Sequence, residues 1–228
     1  MLRSAILTIL FGLLLSIQTL ASEFASPIPG YGFEHFSWGL EVLPGRRMIL
    51  NGTIQEAIAQ AVHINPKFKF DNTVTAISDV HALNKRKYTN WISKPNCDPP
   101  GHRDWGYADF EEITDAARML ADGKGENGHG EALPKGKPKM TPGPGMCGRV
   151  SCEGSSAIYW CNDSHDAKEL NSYSDIADAA IRIAEFCPPG GGVDKKKTKG
   201  QQFTSENWNV IVRADNCCHS ELGTWQIC

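Results

Sequence analysis

The sequence predicts a secreted, disulfide-stapled α+β protein, and three observations lead to that prediction. A basic start precedes an apolar run, all eight cysteines lie between Cys97 and Cys228, and strand and helix patterns alternate after residue 87. An even number of cysteines in an exported chain is typical of a disulfide framework. We therefore expect a signal peptide over residues 1–21, a cysteine-free region over 22–86 and a disulfide-rich α+β domain over 87–228.

The prediction of a signal peptide depends on the first residues of the chain. Met1-Leu2-Arg3 is a short basic start, an apolar run extends to Ile17, and Thr19 and Ala21 are small residues suited to a cleavage site. The run is short for a membrane span, which needs about 20 apolar residues. This layout favours a cleaved signal over a membrane anchor, so we expect the protein to be extracellular.

The domain over 87–228 contains six segments with the patterns of regular secondary structure. They are a strand at 88–92, a helix from Asp109 to Gly123, strands at 149–152 and 157–161, a helix from Ser172 or Ser174 to Cys187, and a strand at 208–212. The resulting order, βαββαβ, is the ferredoxin-like arrangement. We therefore expect a two-layer sandwich in which two helices cover a four-stranded antiparallel sheet.

This topology also orients the cysteines. If the hairpin turn lies at 153–156, Val150, Cys152, Tyr159 and Cys161 share one face, which we place under the helices. Cys152 then lies at the end of the sheet where the second helix ends, which favours a Cys152–Cys187 bridge. We assign all eight cysteines to disulfides: Cys97, Cys147, Cys152, Cys161, Cys187, Cys217, Cys218 and Cys228.

The cysteine-free region over 22–86 has one candidate helix, from Thr53 to His63, with a repeating apolar face. It ends at the dibasic pair Lys85-Arg86, which processing proteases of the secretory pathway cut. The region is therefore either a propeptide that is removed or a retained part of the protein. Asn51 and Asn162 each begin a sequence that fits the N-glycosylation pattern.

Composition and motifs exclude several classes of function. The net charge of −3 does not suggest a nucleic-acid-binding protein, and no cysteine or histidine spacing suggests a zinc site. The chain has no GxSxG nucleophile elbow, no HExxH and no glycine-rich phosphate loop. We therefore predict no catalytic residue, no metal and no cofactor. The alternative is a secreted hydrolase whose active site these patterns do not reveal.

Two tryptophans are the best candidates for binding residues. If Tyr159 points toward the helices, Trp160 points away from them, and Trp208 in the last strand could share that outer face. An open sheet face that carries tryptophan would suit a protein or carbohydrate partner. The alternative is that the N-terminal region or a long loop covers this face.

Several segments resemble a group of small secreted cysteine-rich proteins of filamentous fungi. The similarity covers about residues 97–217 and includes 142–152, Ser156-Ala157-Ile158-Tyr159-Trp160-Cys161-Asn162-Asp163, 175–178 and Trp208-Asn209-Val210-Ile211-Val212-Arg213. This group is similar to killer-toxin-like and necrosis-inducing effector domains. The resemblance implies a non-catalytic extracellular role at the interface with a host or competitor, and it implies no catalytic residues.

These observations together predict a secreted effector or toxin-like protein that acts by surface recognition. Its expected partner is an extracellular protein, a carbohydrate or a membrane component, and not a nucleic acid. We expect the protein to be a monomer.

Overall fold

The computed structural model describes residues 26–69, 90–102, 104–121, 138–141, 145–191, 194 and 196–217. Its helices are α1 (Ile54–Ile64), α2 (Phe110–Leu120) and α3 (Ser174–Phe186), and a short 3₁₀ turn follows at Pro189–Gly191. Its strands are β1 (Gly32–Phe33), β2 (Ser37–Leu43), β3 (Arg46–Asn51), β4 (Ala108–Asp109), β5 (Lys139–Met140), β6 (Met146–Glu153), β7 (Ser156–Asn162), β8 (Lys168–Glu169), β9 (Lys197–Thr198), β10 (Gly200–Phe203) and β11 (Trp208–Ala214). The predicted signal peptide and the pair Lys85-Arg86 lie outside these residues.

All three predicted helices form, and side-chain caps mark where α1 and α2 begin. The Thr53 hydroxyl accepts a hydrogen bond from the backbone N–H of Glu56, whose carboxylate accepts from the N–H of Thr53 in return, which completes a capping box. The Asp109 side chain caps α2 by accepting hydrogen bonds from the backbone N–H groups of Glu111 and Glu112 in the first turn. The Glu112 carboxylate accepts hydrogen bonds from the Ser155 backbone N–H and the Ser156 hydroxyl. These bonds connect α2 to the β6–β7 turn.

The predicted α+β class is confirmed, but the predicted ferredoxin-like topology is wrong. The main sheet has five strands in the order β1-β6-β7-β11-β10 and is mixed, because β1 is parallel to β6 while the other pairs are antiparallel. In the ferredoxin-like arrangement another strand separates β7 from the last strand. Here β7 and β11 are hydrogen-bonded neighbours over seven residue pairs.

The predicted topology is wrong because of β10, a strand that no sequence pattern had predicted. Gly200–Phe203 pairs with β11 as a hairpin, and this additional strand reverses the direction in which β11 runs. The expected strand at 88–92 is not present in the described residues. Trp91 makes only an isolated bridge to Thr204, and residues 88 and 89 lie outside the described residues.

Both faces of the main sheet are buried. One face packs with the three helices and the β2–β3 hairpin in a large apolar cluster that includes Trp160 and Trp208. The other face carries a smaller cluster of Trp105, Tyr159, Ile211 and four cysteines, covered in part by side chains at 28–33. Every residue of β7 is buried.

A β-bulge decides which side chains lie on each face. The β6–β7 register shifts between Arg149 and Ser151, so Val150 joins the helix-side cluster while Cys152 joins the opposite cluster. Cys152, Tyr159 and Cys161 do share a face, as predicted, but it is the face away from the helices. Val150 is not on it.

The N-terminal region is part of the same core as the rest of the protein. Trp38 is fully buried, its indole N–H donates to the Gly52 carbonyl at 2.6 Å, and its ring stacks on Tyr173 with 4.7 Å between centroids. The Gln55 amide donates to the Ser151 hydroxyl at 2.7 Å and accepts from the backbone N–H of Cys152 at 3.2 Å. Residues 26–64 therefore contribute to the core and to the hydrogen bonding of β6.

We expect the N-terminal fragment to stay bound if a protease cuts at Lys85-Arg86. No cysteine precedes Cys97, so packing and hydrogen bonds, without a covalent link, would hold the two fragments together. They should co-elute in gel filtration under native conditions and separate in urea without reductant. Trp38→Ala should lower the free energy of unfolding by about 3–5 kcal/mol, and so increase the share of the N-terminal fragment that is released. Separation of the unsubstituted fragments in native buffer would contradict this prediction.

Candidate interaction surface

The two tryptophans proposed for binding are inside the protein. Trp160 and Trp208 are both 0 % exposed, and both lie on the helix side of the sheet. Phe36 stacks on Trp160 at 5.9 Å, and Trp91 contacts Trp208 edge-on at 6.4 Å. The predicted outward orientation of Trp160 is therefore wrong, because its ring lies on the helix side, where Phe36 of the N-terminal region also packs against it.

Three disulfides join the described cysteines in a pattern that differs from the favoured one. The bridges are Cys97–Cys187, Cys147–Cys161 and Cys152–Cys217. The predicted Cys152–Cys187 bridge is wrong because the bulge turns Cys152 away from the helix face, whereas Cys187 packs in the helix-side cluster. Cys218 and Cys228 lie outside the described residues.

Two carboxylates on the face opposite the helices are engaged by tyrosines. The Tyr159 hydroxyl donates to Asp215, and the guanidinium groups of Arg149 and Arg213 lie 3.9 and 3.7 Å from the same carboxylate. Burial, with the neighbouring Asp215 carboxylate, raises the pKa of Tyr159. The phenol therefore stays protonated, and this cluster ties the residues after β11 to the sheet.

The second carboxylate, Asp163, connects the N-terminal segment to β11. Its Oδ1 accepts from the Tyr31 hydroxyl at 2.9 Å and from the Asn209 amide at 2.7 Å. The Asn209 amide oxygen in turn accepts from the amide of buried Gln201. Burial raises the pKa of Asp163, and burial next to this carboxylate raises the pKa of Tyr31 to about 12. These bonds position the segment before β1.

The two glycosylation sequons differ in accessibility. Asn51 is exposed at the end of β3, where its side-chain oxygen accepts from the Ser37 hydroxyl. Asn162 is 0 % exposed, and its amide nitrogen donates to the carbonyls of Thr141 and Asp166. A glycan on Asn162 would have to replace these bonds inside the fold.

Exposed apolar side chains and an arginine lie at the junction of the 90–97 segment and the end of α3. We call this surface the Ile92 patch; it comprises Trp91, Ile92, Arg182 and Phe186. Ile92 is 64 % exposed and Phe186 is 47 % exposed. The Arg182 guanidinium lies 5.7 Å from the Trp91 ring centroid and 5.0 Å from that of Phe186, both within the range of cation–π attraction.

The two segments that carry the Ile92 patch are fixed to each other. The Cys97–Cys187 disulfide joins them directly, and Cys187 follows Phe186 in the chain. The backbone N–H of Ile92 donates to the Phe203 carbonyl at 3.4 Å, so the segment lies along β10. Gln202 accepts from Arg182 Nε at 3.0 Å and donates to the Ser93 carbonyl at 3.2 Å. The patch is therefore preorganised.

The sequence patterns did not predict the Ile92 patch. They placed Ile92 in a strand at 88–92 and Phe186 in the helix that ends at Cys187. One signal was available: Phe186 lies off the apolar face formed by Ile176, Ala180, Ile183 and Cys187. A large apolar residue off the buried stripe of a helix indicates a second contact surface.

No protein-family model, curated protein or solved structure matches this chain. In the described part of the chain, no helix has the length and apolar character to cross a membrane. No group of three or more histidine, cysteine, aspartate or glutamate side chains is placed to hold a metal ion within those residues.

We expect a glycan on Asn51 and none on Asn162 in the folded protein. Exposed asparagine amides accept bulky modification, whereas Asn162 is enclosed by the hydrogen bonds described above. Mass spectrometry of glycopeptides measures the occupancy of each site, with Asn51→Gln as the control for assignment. High occupancy at Asn162 would contradict the placement of this side chain.

Replacing Asp163 by asparagine should stabilise the protein at neutral pH. The folded state holds the Asp163 proton more tightly than the unfolded chain, so this carboxyl favours the fold at acid pH and the benefit is lost as pH rises through the raised pKa. In Asp163→Asn the amide oxygen can keep both hydrogen bonds without a buried charge.

Thermal unfolding of the parent and of Asp163→Asn at pH 4 and pH 7 tests this expectation. The variant should have the higher melting temperature at pH 7, and the difference should shrink at pH 4. A variant that is less stable than the parent at both pH values would show that the charge itself stabilises the Tyr31 and Asn209 contacts.

Proposed function

We propose that this protein is secreted and acts by binding, not by catalysis, through the Ile92 patch. The partner is a component of a host, a competitor or a cell wall. The observation that carries the proposal is the patch itself, in which the rings of Trp91 and exposed Phe186 flank the Arg182 guanidinium and exposed Ile92 follows Trp91, on a disulfide-fixed surface.

Secretion is supported by the three disulfides, which indicate an oxidising compartment. The signal-like segment at 1–21 supports the same conclusion from the sequence. The resemblance to small secreted fungal proteins adds the expectation of an effector or toxin-like role.

The chemistry of the Ile92 patch suits protein recognition. Aromatic residues and arginine are enriched at the centres of interfaces, where they contribute most of the binding free energy. Because Arg182, Ile92 and Phe186 are held in place before binding, little conformational entropy would be lost on association. The buried tryptophans contribute indirectly, since Trp208 supports the ring of Trp91.

The carboxylates of the sheet's second face support a structural role for that face. Asp163 and Asp215 each accept from a tyrosine hydroxyl, and Asp215 is also flanked by two arginines. These contacts hold Tyr31 and the residues after β11 against the sheet. Ile92 and Phe186, by contrast, are among the large apolar side chains that stay exposed.

We expect the double variant Ile92→Ser, Phe186→Ser to lose binding while keeping its fold. The assay incubates fluorescently labelled protein with intact plant cells, fungal cells and isolated walls, and counts only signal that unlabelled protein displaces. Ile49→Ser is the matched control, because Ile49 is 67 % exposed but lies on β3.

The parent and Ile49→Ser should bind equally, and the double variant should bind at least about tenfold more weakly, as expected for loss of interface anchors worth more than 1.4 kcal/mol. Circular dichroism and melting temperature confirm that all three proteins are folded. Equal binding by the double variant, or hydrolytic turnover of a cell-wall substrate that it retains, would refute the proposal.

A further inference from the structure

We propose that the Arg182 guanidinium binds a carboxylate carried by an apolar peptide segment of an extracellular protein. This inference rests on the proposed function of the Ile92 patch and names the chemistry of its partner. The carboxylate would belong to an aspartate or glutamate side chain or to a free C-terminus, and the flanking apolar side chains would contact Ile92 and Phe186.

The hydrogen-bonding state of Arg182 is the first support. Its Nε donates to the Gln202 amide oxygen at 3.0 Å, which uses one of the five guanidinium N–H groups. No hydrogen bond or ion pair between described residues uses Nη1 or Nη2. These two nitrogens carry the donors that form two parallel hydrogen bonds to a carboxylate.

The position of the guanidinium is the second support. The rings of Trp91 and Phe186 hold it at 5.7 and 5.0 Å, and Gln202 fixes its rotation. An arginine on a surface normally loses side-chain entropy when it forms an ion pair, which is why exposed pairs contribute little. Arg182 has lost much of that conformational freedom already, so an ion pair with a carboxylate costs less side-chain entropy here.

The neighbours of Arg182 favour a peptide over a membrane. Binding to an anionic lipid surface depends on several basic side chains, each contributing about 1 kcal/mol. The exposed charged residues nearest in sequence to the Ile92 patch instead are Lys94, Glu185 and Asp98, and Asp98 pairs with Lys199 at 3.4 Å. One oriented cation between apolar side chains matches one carboxylate between apolar side chains.

The rings of the patch also disfavour a neutral sugar. Carbohydrates stack on open aromatic faces, whereas the Trp91 and Phe186 rings already contact the Arg182 guanidinium and Trp91 also packs against Trp208. The most exposed side chain of the patch, Ile92, is aliphatic and offers no partner to sugar hydroxyl groups. A peptide with a carboxylate between apolar side chains can pair with Arg182 and also cover Ile92.

The experiment uses an array of synthetic octapeptides with the full secreted protein as the soluble probe. Each peptide places one aspartate or glutamate between leucine, isoleucine or phenylalanine residues, and each has a partner with asparagine or glutamine instead. Amidated and free C-terminal forms distinguish a side-chain carboxylate from a terminal one. Phosphatidylcholine vesicles with one-quarter phosphatidylserine, and soluble wall oligosaccharides, are the comparison probes.

We expect carboxylate peptides to bind about ten- to one-hundredfold more tightly than their amide partners, the range for hydrogen bonds to charged groups. Arg182→Gln should abolish this preference and leave weak apolar binding, and Arg182→Lys should restore only part of it because lysine cannot form the paired hydrogen bonds. Arg46→Gln, which changes an exposed arginine of β3, should behave like the parent.

Equal binding of acid and amide peptides, an unchanged preference in Arg182→Gln, or binding only to vesicles or oligosaccharides would overturn the inference. Absence of binding across the whole array would overturn it as well. If the Ile92→Ser, Phe186→Ser variant still lost cell binding in any of these cases, the proposed function would stand and only its assignment to a carboxylate peptide would fall.

Discussion

The burial of β7 on both of its faces is the constraint on which the rest of this structure depends. Every residue from Ser156 to Asn162 is buried, and the neighbouring β11 is buried over its first five residues. A strand in the centre of a sheet that is apolar on both sides must be covered twice, or apolar surface stays in water. The helices can cover only one side.

The cover on the second side explains where the cysteines and the N-terminal segment lie. Cys147–Cys161 and Cys152–Cys217 occupy this face, and Ile28, Tyr31 and Phe33 pack against them. A thin layer of this kind buries little apolar area. The disulfides, which restrict the unfolded chain, therefore contribute a larger share of the stability of this layer. The helix side needs the N-terminal region too, because Phe36 and Trp38 fill the core around Trp160.

The Ile92 patch follows from the same arrangement. The 90–97 segment closes the outer edge of β10, where an open strand edge would invite pairing with another chain. Trp91 enters the core from this segment, and Ile92, the next residue, faces outward. The disulfide that fixes the segment to α3 therefore both protects the sheet edge and presents the apolar side chains around Arg182. Stability and the proposed recognition would depend on the same bridge.

The sequence by itself determined the features that depend on neighbouring residues: the capped starts of α1 and α2, the β6–β7 hairpin, the end of α3 and the use of cysteine for disulfides. The run from Ala157 to Cys161 was predicted as a strand with one face under the helices, and only the structure showed that both of its faces are buried. Only the tertiary structure decided which face each side chain takes, because one bulge at Val150 reverses that assignment for Cys152. It alone decided the disulfide partners, the packing of Trp38 on Tyr173 and the contact of Trp91 with Arg182, since these contacts connect residues far apart in the chain and no local pattern encodes their distance.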